Sequence, residues 1–168
     1  MSPRKKSLRH QYLTSLTPVD AASLPPTNNI IRTPEDAYQQ FRYDGLVAKE
    51  QEALYVLALN ARHRVLASIM VALGGANQVH VKPKEIFRPA IMVNAAAVIV
   101  GHNHPSGDAT PSVDDRAMTE SLQKAGELLG IPLLDHLVVT RGSFWSLASK
   151  TQQLSKTPPS QTEIKEMP

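Results

Sequence analysis

Two histidines and a nearby carboxylate are the residues of this chain whose types and spacing could do chemistry. The stretch GHNHPSGDATPSVDD occupies residues 101–115 and directly follows the apolar run AAAVIV. If a strand continues through this run, His102 and His104 at positions i and i+2 project from the same face. Their Cα atoms then lie roughly 6–7 Å apart. Two imidazoles at this separation can converge on one metal ion.

A third ligand must come from elsewhere, because a catalytic zinc site takes three protein ligands and keeps one position open. The PSGD turn reverses the chain, and a helix predicted over 112–129 places Asp115 in its first turn, at the sheet edge where the histidines lie. Asp108 on the loop and Asp114 on the helix are alternative ligands. Ser112-x-x-Asp115 also fits a capping box, in which the carboxylate accepts from the N-cap amide. Both interpretations of Asp115 stay open.

The composition restricts the other kinds of chemistry. The chain has 168 residues, the size of one ordinary domain, and contains no cysteine. Disulfides, thiolate nucleophiles and cysteine zinc sites are therefore excluded, and a cytoplasmic location is expected. We find no apolar signal-peptide core and no run of 18 apolar residues, so the sequence predicts neither secretion nor a membrane span.

Positive charge is concentrated at the N-terminus. Residues 1–30 hold four basic residues and one acid, whereas 31–168 hold 14 of each sign. A protein that binds duplex DNA usually carries a basic face. Because the predicted folded part is neutral, only this basic arm could bind DNA, and DNA binding is possible but not favoured.

The remaining patterns predict a mixed sheet covered by helices, of class α/β or α+β. Residues 31–150 are predicted as the folded domain, between a basic flexible arm (1–30) and a flexible tail (151–168) that lack hydrophobic periodicity. Along 112–129 the apolar spacing of Met118, Leu122, Ala125 and Leu129 predicts one core face. The predicted elements are helices at 34–46, 84–94 and 112–129, a hairpin of strands at 52–60 and 64–73, and strands at 95–101 and 133–140.

The motif resembles the JAMM (MPN-plus) domain of RadC-like proteins. The resemblance rests on His102-x-His104-Pro-Ser-Gly-Asp, then Ser112-x-x-Asp115, then AGELLGIPLLDHLVV, and it extends upstream over about 33–148. It implies a cytidine-deaminase-like three-layer fold with one Zn²⁺ per chain on His102, His104 and Asp115. It also implies hydrolysis of a peptide or isopeptide bond in a peptide or protein substrate.

The resemblance assigns two further roles. Glu52, at the head of ALYVLALN, matches the family's general base, with Glu50 as an alternative and Glu85 as a weaker candidate. Ser112 matches the serine that donates to the developing oxyanion. His136 is expected to face outward or to contact Asp135, with support of the metal site as an alternative.

Two other functions remain open. One is a DNA-repair or DNA-processing factor of the RadC type. Full-length RadC-like proteins usually carry an N-terminal helix-hairpin-helix region, whereas about 30 residues precede the first predicted helix here, which disfavours DNA binding. The other is a metal-stabilised interaction module without catalysis. The sequence gives no oligomeric state.

Overall fold

A computed structural model describes residues 30–74 and 81–155. Nearly all of the predicted N-terminal arm and most of the predicted tail lie outside the described residues. No helix among the described residues is long and apolar enough to cross a membrane. The elements are α1 (Pro34–Tyr43), a short 3-10 helix (Leu46–Ala48), β1 (Ala53–Leu59), β2 (Val65–Leu73), α2 (Pro83–Met92), β3 (Ala97–Asn103), α3 (Val113–Leu129), β4 (Leu133–Val139), β5 (Ser143–Ser146) and β6 (Thr151–Leu154).

The described strands form one mixed sheet in the order β2-β1-β3-β4-β5-β6. β3 and β4 pair in parallel, and helix α3 connects them, whereas the other pairs are antiparallel. In the pairing of β1 with β3, Leu54 lies opposite His102. The predicted central strand is thus confirmed, and its carboxyl end carries the histidine motif.

Strand β1 is buried along its whole length because helices cover both faces of the sheet. Tyr55 and Leu57 pack into a core with α1, whereas Leu54 and Val56 pack into a second core with α2 and α3. This alternation follows from the two-residue period of a strand. The resulting three layers, with a mixed sheet between helices, confirm the predicted fold class.

Helix α3 buries most of the face that the apolar spacing predicts, since Leu122 is buried and Met118 and Ala125 pack against the same core. Its buried residues are Thr119, Leu122 and Gly126, whereas Leu129 at the predicted core position is 47% exposed. Gly126 lies so close to the backbone of Ile131 that a Cβ would come within 2.6 Å of its carbonyl oxygen. The sequence pattern missed Thr119 and Gly126 because threonine and glycine are not counted as apolar.

Residues 151–154, predicted as the start of the flexible tail, are part of the sheet instead. Thr151–Leu154 form strand β6, which pairs with β5 at the edge of the sheet. Three of the four residues are polar and the strand is mostly exposed, so no apolar alternation indicated a strand. Backbone pairing alone places this segment in the folded domain.

Gly101 lets Phe41 of α1 pack directly on β3, one residue before His102. A Cβ at this position would lie 2.5 Å from the fully buried Phe41 ring. We expect Gly101→Ala to lower the free energy of unfolding by about 1–3 kcal/mol, the usual cost of overpacking a core, as measured by urea denaturation. Gly142→Ala is the matched control, since that site is exposed and nothing lies within 4 Å. Equal stabilities of the two variants would contradict this prediction.

Candidate metal centre

Strand β3 runs two residues further than predicted, and this places both histidines at its end. His102 is in the strand, and His104 follows it with its amide still donating to the Val139 carbonyl of β4 at 3.0 Å. The Nε2 atoms of the two rings lie 3.1 Å apart. The prediction that they share one face is confirmed.

Asp115 completes the cluster from the first turn of α3. Its Oδ1 lies 3.1 Å from His102 Nε2, and its Oδ2 lies 3.6 Å from His104 Nε2. Ligands bound tetrahedrally at about 2.0–2.1 Å from zinc are about 3.3 Å apart. The three side chains therefore form a donor set of the right size for zinc, and among the described residues they are the one such group.

The His104 ring is oriented by a backbone carbonyl. Its Nδ1 lies 2.8 Å from the Asp108 carbonyl oxygen. Because a carbonyl only accepts, Nδ1 carries a proton, and in the neutral ring Nε2 presents a lone pair to the cluster. The Asp108 carboxylate instead accepts from the Thr110 amide at 2.8 Å. Asp108, one of the alternative ligands, thus contributes through its backbone.

Asp115 has a structural contact as well as a place in the cluster. Oδ2 accepts from the Ser112 amide and hydroxyl, both at 2.7 Å, and the Asp115 amide donates back to the hydroxyl at 3.1 Å. This is the predicted capping box. Oδ1 is the oxygen nearer to His102. The capping interpretation and the ligand interpretation of Asp115 are therefore compatible, because each uses a different oxygen.

Charge in the cluster favours an ionised carboxylate and a cation beside it. Burial acts to raise the pKa of Asp115, but contacts with His102, His104 and Ser112 outweigh it and hold the pKa well below its usual range. The hydrogen bond with Asp115 raises the pKa of His104 despite partial burial. A proton and a metal ion would compete for these nitrogens, so a metal bound here would be held more weakly as the pH falls.

His136 faces inward, not outward as expected. It is fully buried, with Nε2 2.8 Å from His102 Nδ1 and Nδ1 2.7 Å from Thr119 Oγ1. Burial, together with the nearby His102, lowers the pKa of His136 to about 3, so the ring is neutral at ordinary pH. Asp135 does not contact the His136 ring, and its carboxylate accepts from the His136 backbone amide instead. His136 thus contacts His102, a residue of the cluster, which agrees with the alternative expectation for His136.

A cleft of about 750 Å³ opens at the cluster. Glu52 and Ser112 line it together with the three clustered residues, and Glu52 is close enough to contribute to the raised pKa of His104. Glu50 and Glu85 are not among the described residues that line the cleft. Glu85 instead accepts from the Lys82 amide at the start of α2. Of the three predicted base candidates, only Glu52 faces the cluster.

The backbone on both sides of Glu52 is fixed by hydrogen bonds. The Ala53 amide donates to Asn103 Oδ1 at 2.7 Å, and the Asn103 amide group donates to Lys49 and Gln51 carbonyls at 3.0 and 3.2 Å. The Glu52 carbonyl accepts from the Gly74 amide at 2.8 Å. Sequence reasoning missed Asn103, although a polar residue between two histidines at the end of an apolar strand was a usable signal.

Ser112 is exposed at the mouth of the cleft, but its hydroxyl is already engaged. The single hydroxyl proton is directed at Asp115 Oδ2 at 2.7 Å. Donation to a substrate oxyanion therefore requires rotation of the Ser112 side chain away from Asp115. The capping box retains the Ser112 amide as a donor when that rotation occurs.

These features define a class: a three-layer domain whose central strand ends in His-x-His and whose next helix begins with Ser-x-x-Asp. Within that class, residues 31–153 match the RadC family, described as RadC-like JAB domain. The chain belongs to this family.

Relatives in several bacteria agree with this assignment. A UPF0758 protein of Carboxydothermus hydrogenoformans is 43% identical over 117 residues, which is 70% of this chain and 51% of that protein. One from Histophilus somni is 40% identical over 118 residues, 70% of this chain and 53% of the relative. A third, from Thermotoga maritima, is 43% identical over 101 residues, 60% of this chain and 46% of the relative. The chain spans about half the length of these relatives.

Proposed function

We propose that this domain is a zinc-dependent hydrolase of the JAMM type that cleaves a peptide or isopeptide bond. The observation that carries the proposal is the convergence of two imidazole Nε2 atoms and one carboxylate within 3.1–3.6 Å of one another. Two imidazole nitrogens and a carboxylate this close to one another require a proton or a metal ion between them. Membership of a JAB-domain family supports the same function.

His102, His104 and Asp115 would hold the ion. Zinc supplies Lewis acidity, which lowers the pKa of a water molecule to about 7 and polarises a carbonyl oxygen. The Glu52 carboxylate accepts a proton from the attacking water and returns it to the leaving amine. Ser112, after rotation, donates to the oxygen that gains negative charge. Together these groups supply a base, an acid and an oxyanion donor on one side of the cleft.

The shape of the cleft supports a peptide or protein substrate. Its volume of about 750 Å³ lies within the range of ligand-binding clefts, roughly 300–1,000 Å³. The wall includes apolar side chains of Val81, Pro83 and Met118. An extended segment with an apolar side chain beside the scissile bond fits this lining. The absence of cysteine supports a cytoplasmic setting.

Elemental analysis and a peptidase assay test the proposal on the wild-type chain. We expect about one zinc per chain, because three ligands with one open position constitute a single catalytic site. Hydrolysis of a peptide library or an isopeptide-linked conjugate should be lost on chelation and restored by added zinc. A protein that takes up no zinc after dialysis against it would contradict the proposal.

A further inference from the structure

A chain of polar contacts lies behind the cluster of His102, His104 and Asp115. Starting at the Asp115 backbone, Thr119 Oγ1 lies 2.7 Å from the Asp115 carbonyl and 2.7 Å from His136 Nδ1. His136 Nε2 lies 2.8 Å from His102 Nδ1, and His102 Nε2 lies 3.1 Å from Asp115 Oδ1. The chain of contacts starts and ends at Asp115 and joins α3, β4 and β3. His136 is fully buried and Thr119 is 8% exposed.

Proton counting gives these bonds a single direction. A carbonyl only accepts, so the one hydroxyl proton of Thr119 points at Asp115. The Thr119 oxygen must then accept from His136 Nδ1, which therefore carries a proton. His136 is fully buried, and its ring nitrogens contact a hydroxyl and an imidazole rather than a carboxylate, so the uncharged ring is favoured. With its one proton on Nδ1, Nε2 accepts from His102 Nδ1. His102 is thereby left with its Nε2 lone pair directed at the cluster.

We propose that Thr119 and His136 are positioning residues whose hydrogen bonds hold the proton of His102 on Nδ1 and so keep Nε2 available to the metal. The proposal rests on the proposed zinc site and assigns His102 a support from α3 and β4. Partners of this kind orient a ligand ring and fix its tautomer, and their loss typically weakens metal binding about 10- to 100-fold. His104 receives the equivalent support from the Asp108 carbonyl.

Thr119→Val removes the hydroxyl and keeps the shape of the side chain. His136 Nδ1–H would then face a methyl group, so we expect the His136 proton to move to Nε2, where it donates to His102 Nδ1. His102 then carries its own proton on Nε2, the atom that the metal needs. Thr119→Ser keeps the hydroxyl and is the matched control.

The first measurement follows the ring protons without any metal. In zinc-free, ¹⁵N-labelled protein, long-range ¹H–¹⁵N correlation spectra distinguish protonated from bare imidazole nitrogens. We expect His136 to be protonated at Nδ1 and bare at Nε2 in the wild type and in Thr119→Ser, and the reverse in Thr119→Val. A wild-type His136 protonated at Nε2 would overturn the proposal without the need for any variant.

The second measurement is zinc affinity by competition with a chelator. Thr119→Val should bind zinc roughly 10- to 100-fold more weakly than the wild type, and Thr119→Ser should match the wild type. Equal affinities for all three proteins would overturn the proposal while leaving the zinc site intact. A wild type that binds no zinc would instead refute the hydrolase, and the ring-nitrogen spectra would still decide the role of Thr119 and His136.

Discussion

Replacing Asp115 with asparagine should weaken zinc binding at least about 100-fold while leaving the domain folded. The carboxylate is the one anionic ligand of the cluster, and even partners that only support a ligand are worth 10- to 100-fold. Asparagine keeps an oxygen that can accept from the Ser112 amide, so the start of α3 is preserved. Chelator competition measures the affinity, and circular dichroism checks the fold.

Asp114→Asn is the matched control for this change. Asp114 lies in the same first turn and lines the same cleft, so its replacement removes the same charge from the same end of the helix. We expect its zinc affinity to stay within about fivefold of the wild type, since an exposed charge at a helix end contributes about 0.3–1 kcal/mol. A large loss of zinc affinity in Asp114→Asn, with none in Asp115→Asn, would identify Asp114 as the third ligand.

Glu52→Gln should lower kcat about 10²- to 10⁴-fold, the usual contribution of a general acid–base group, without loss of zinc. Glutamine keeps the size of the side chain but cannot accept a proton from water. Asn103 and Gly74 hold the flanking backbone in the variant as in the wild type. Kinetics on the peptide or conjugate found with the wild type give kcat, and elemental analysis gives the metal content.

Glu50→Gln controls for charge, because Glu50 is an exposed acid two residues earlier. It should retain wild-type turnover. Full activity in Glu52→Gln together with loss in Glu50→Gln would identify Glu50 as the base. A wild-type protein that binds zinc yet cleaves no peptide or isopeptide bond would favour a metal-stabilised interaction module.

The cluster was predictable because its geometry depends on local periodicity. His102 and His104 share a face through the two-residue period of β3, and Asp115 lies at N3 of a helix whose cap residues are recognisable in the sequence. Both relations span fewer than fifteen residues. The resemblance to RadC-like domains added Glu52, which local pattern alone does not connect to the histidines.

The support of the cluster was not predictable in the same way. His136 lies 34 residues from His102, and their contact depends on the parallel pairing of β3 with β4. Thr119 is buried on α3, but the apolar spacing does not count threonine. Strand register and helix rotation are set by packing of the whole core, so a single sequence does not specify which polar residues meet behind the ligands.

The register of β1 on β3 determines how far the proposed base lies from the metal ligands. Leu54 pairs with His102, and Glu52 lies two residues before Leu54. The pairing of the two strands therefore fixes the distance between Glu52 and the histidines. One residue of slippage would displace Glu52 by about 3.3 Å and turn the side chains of β1 to opposite faces. A deletion of one residue within β1 would thus move Glu52 away from His102 and His104 even if the sheet re-formed. The alignment of β1 with β3 therefore helps to determine the geometry of the proposed reaction.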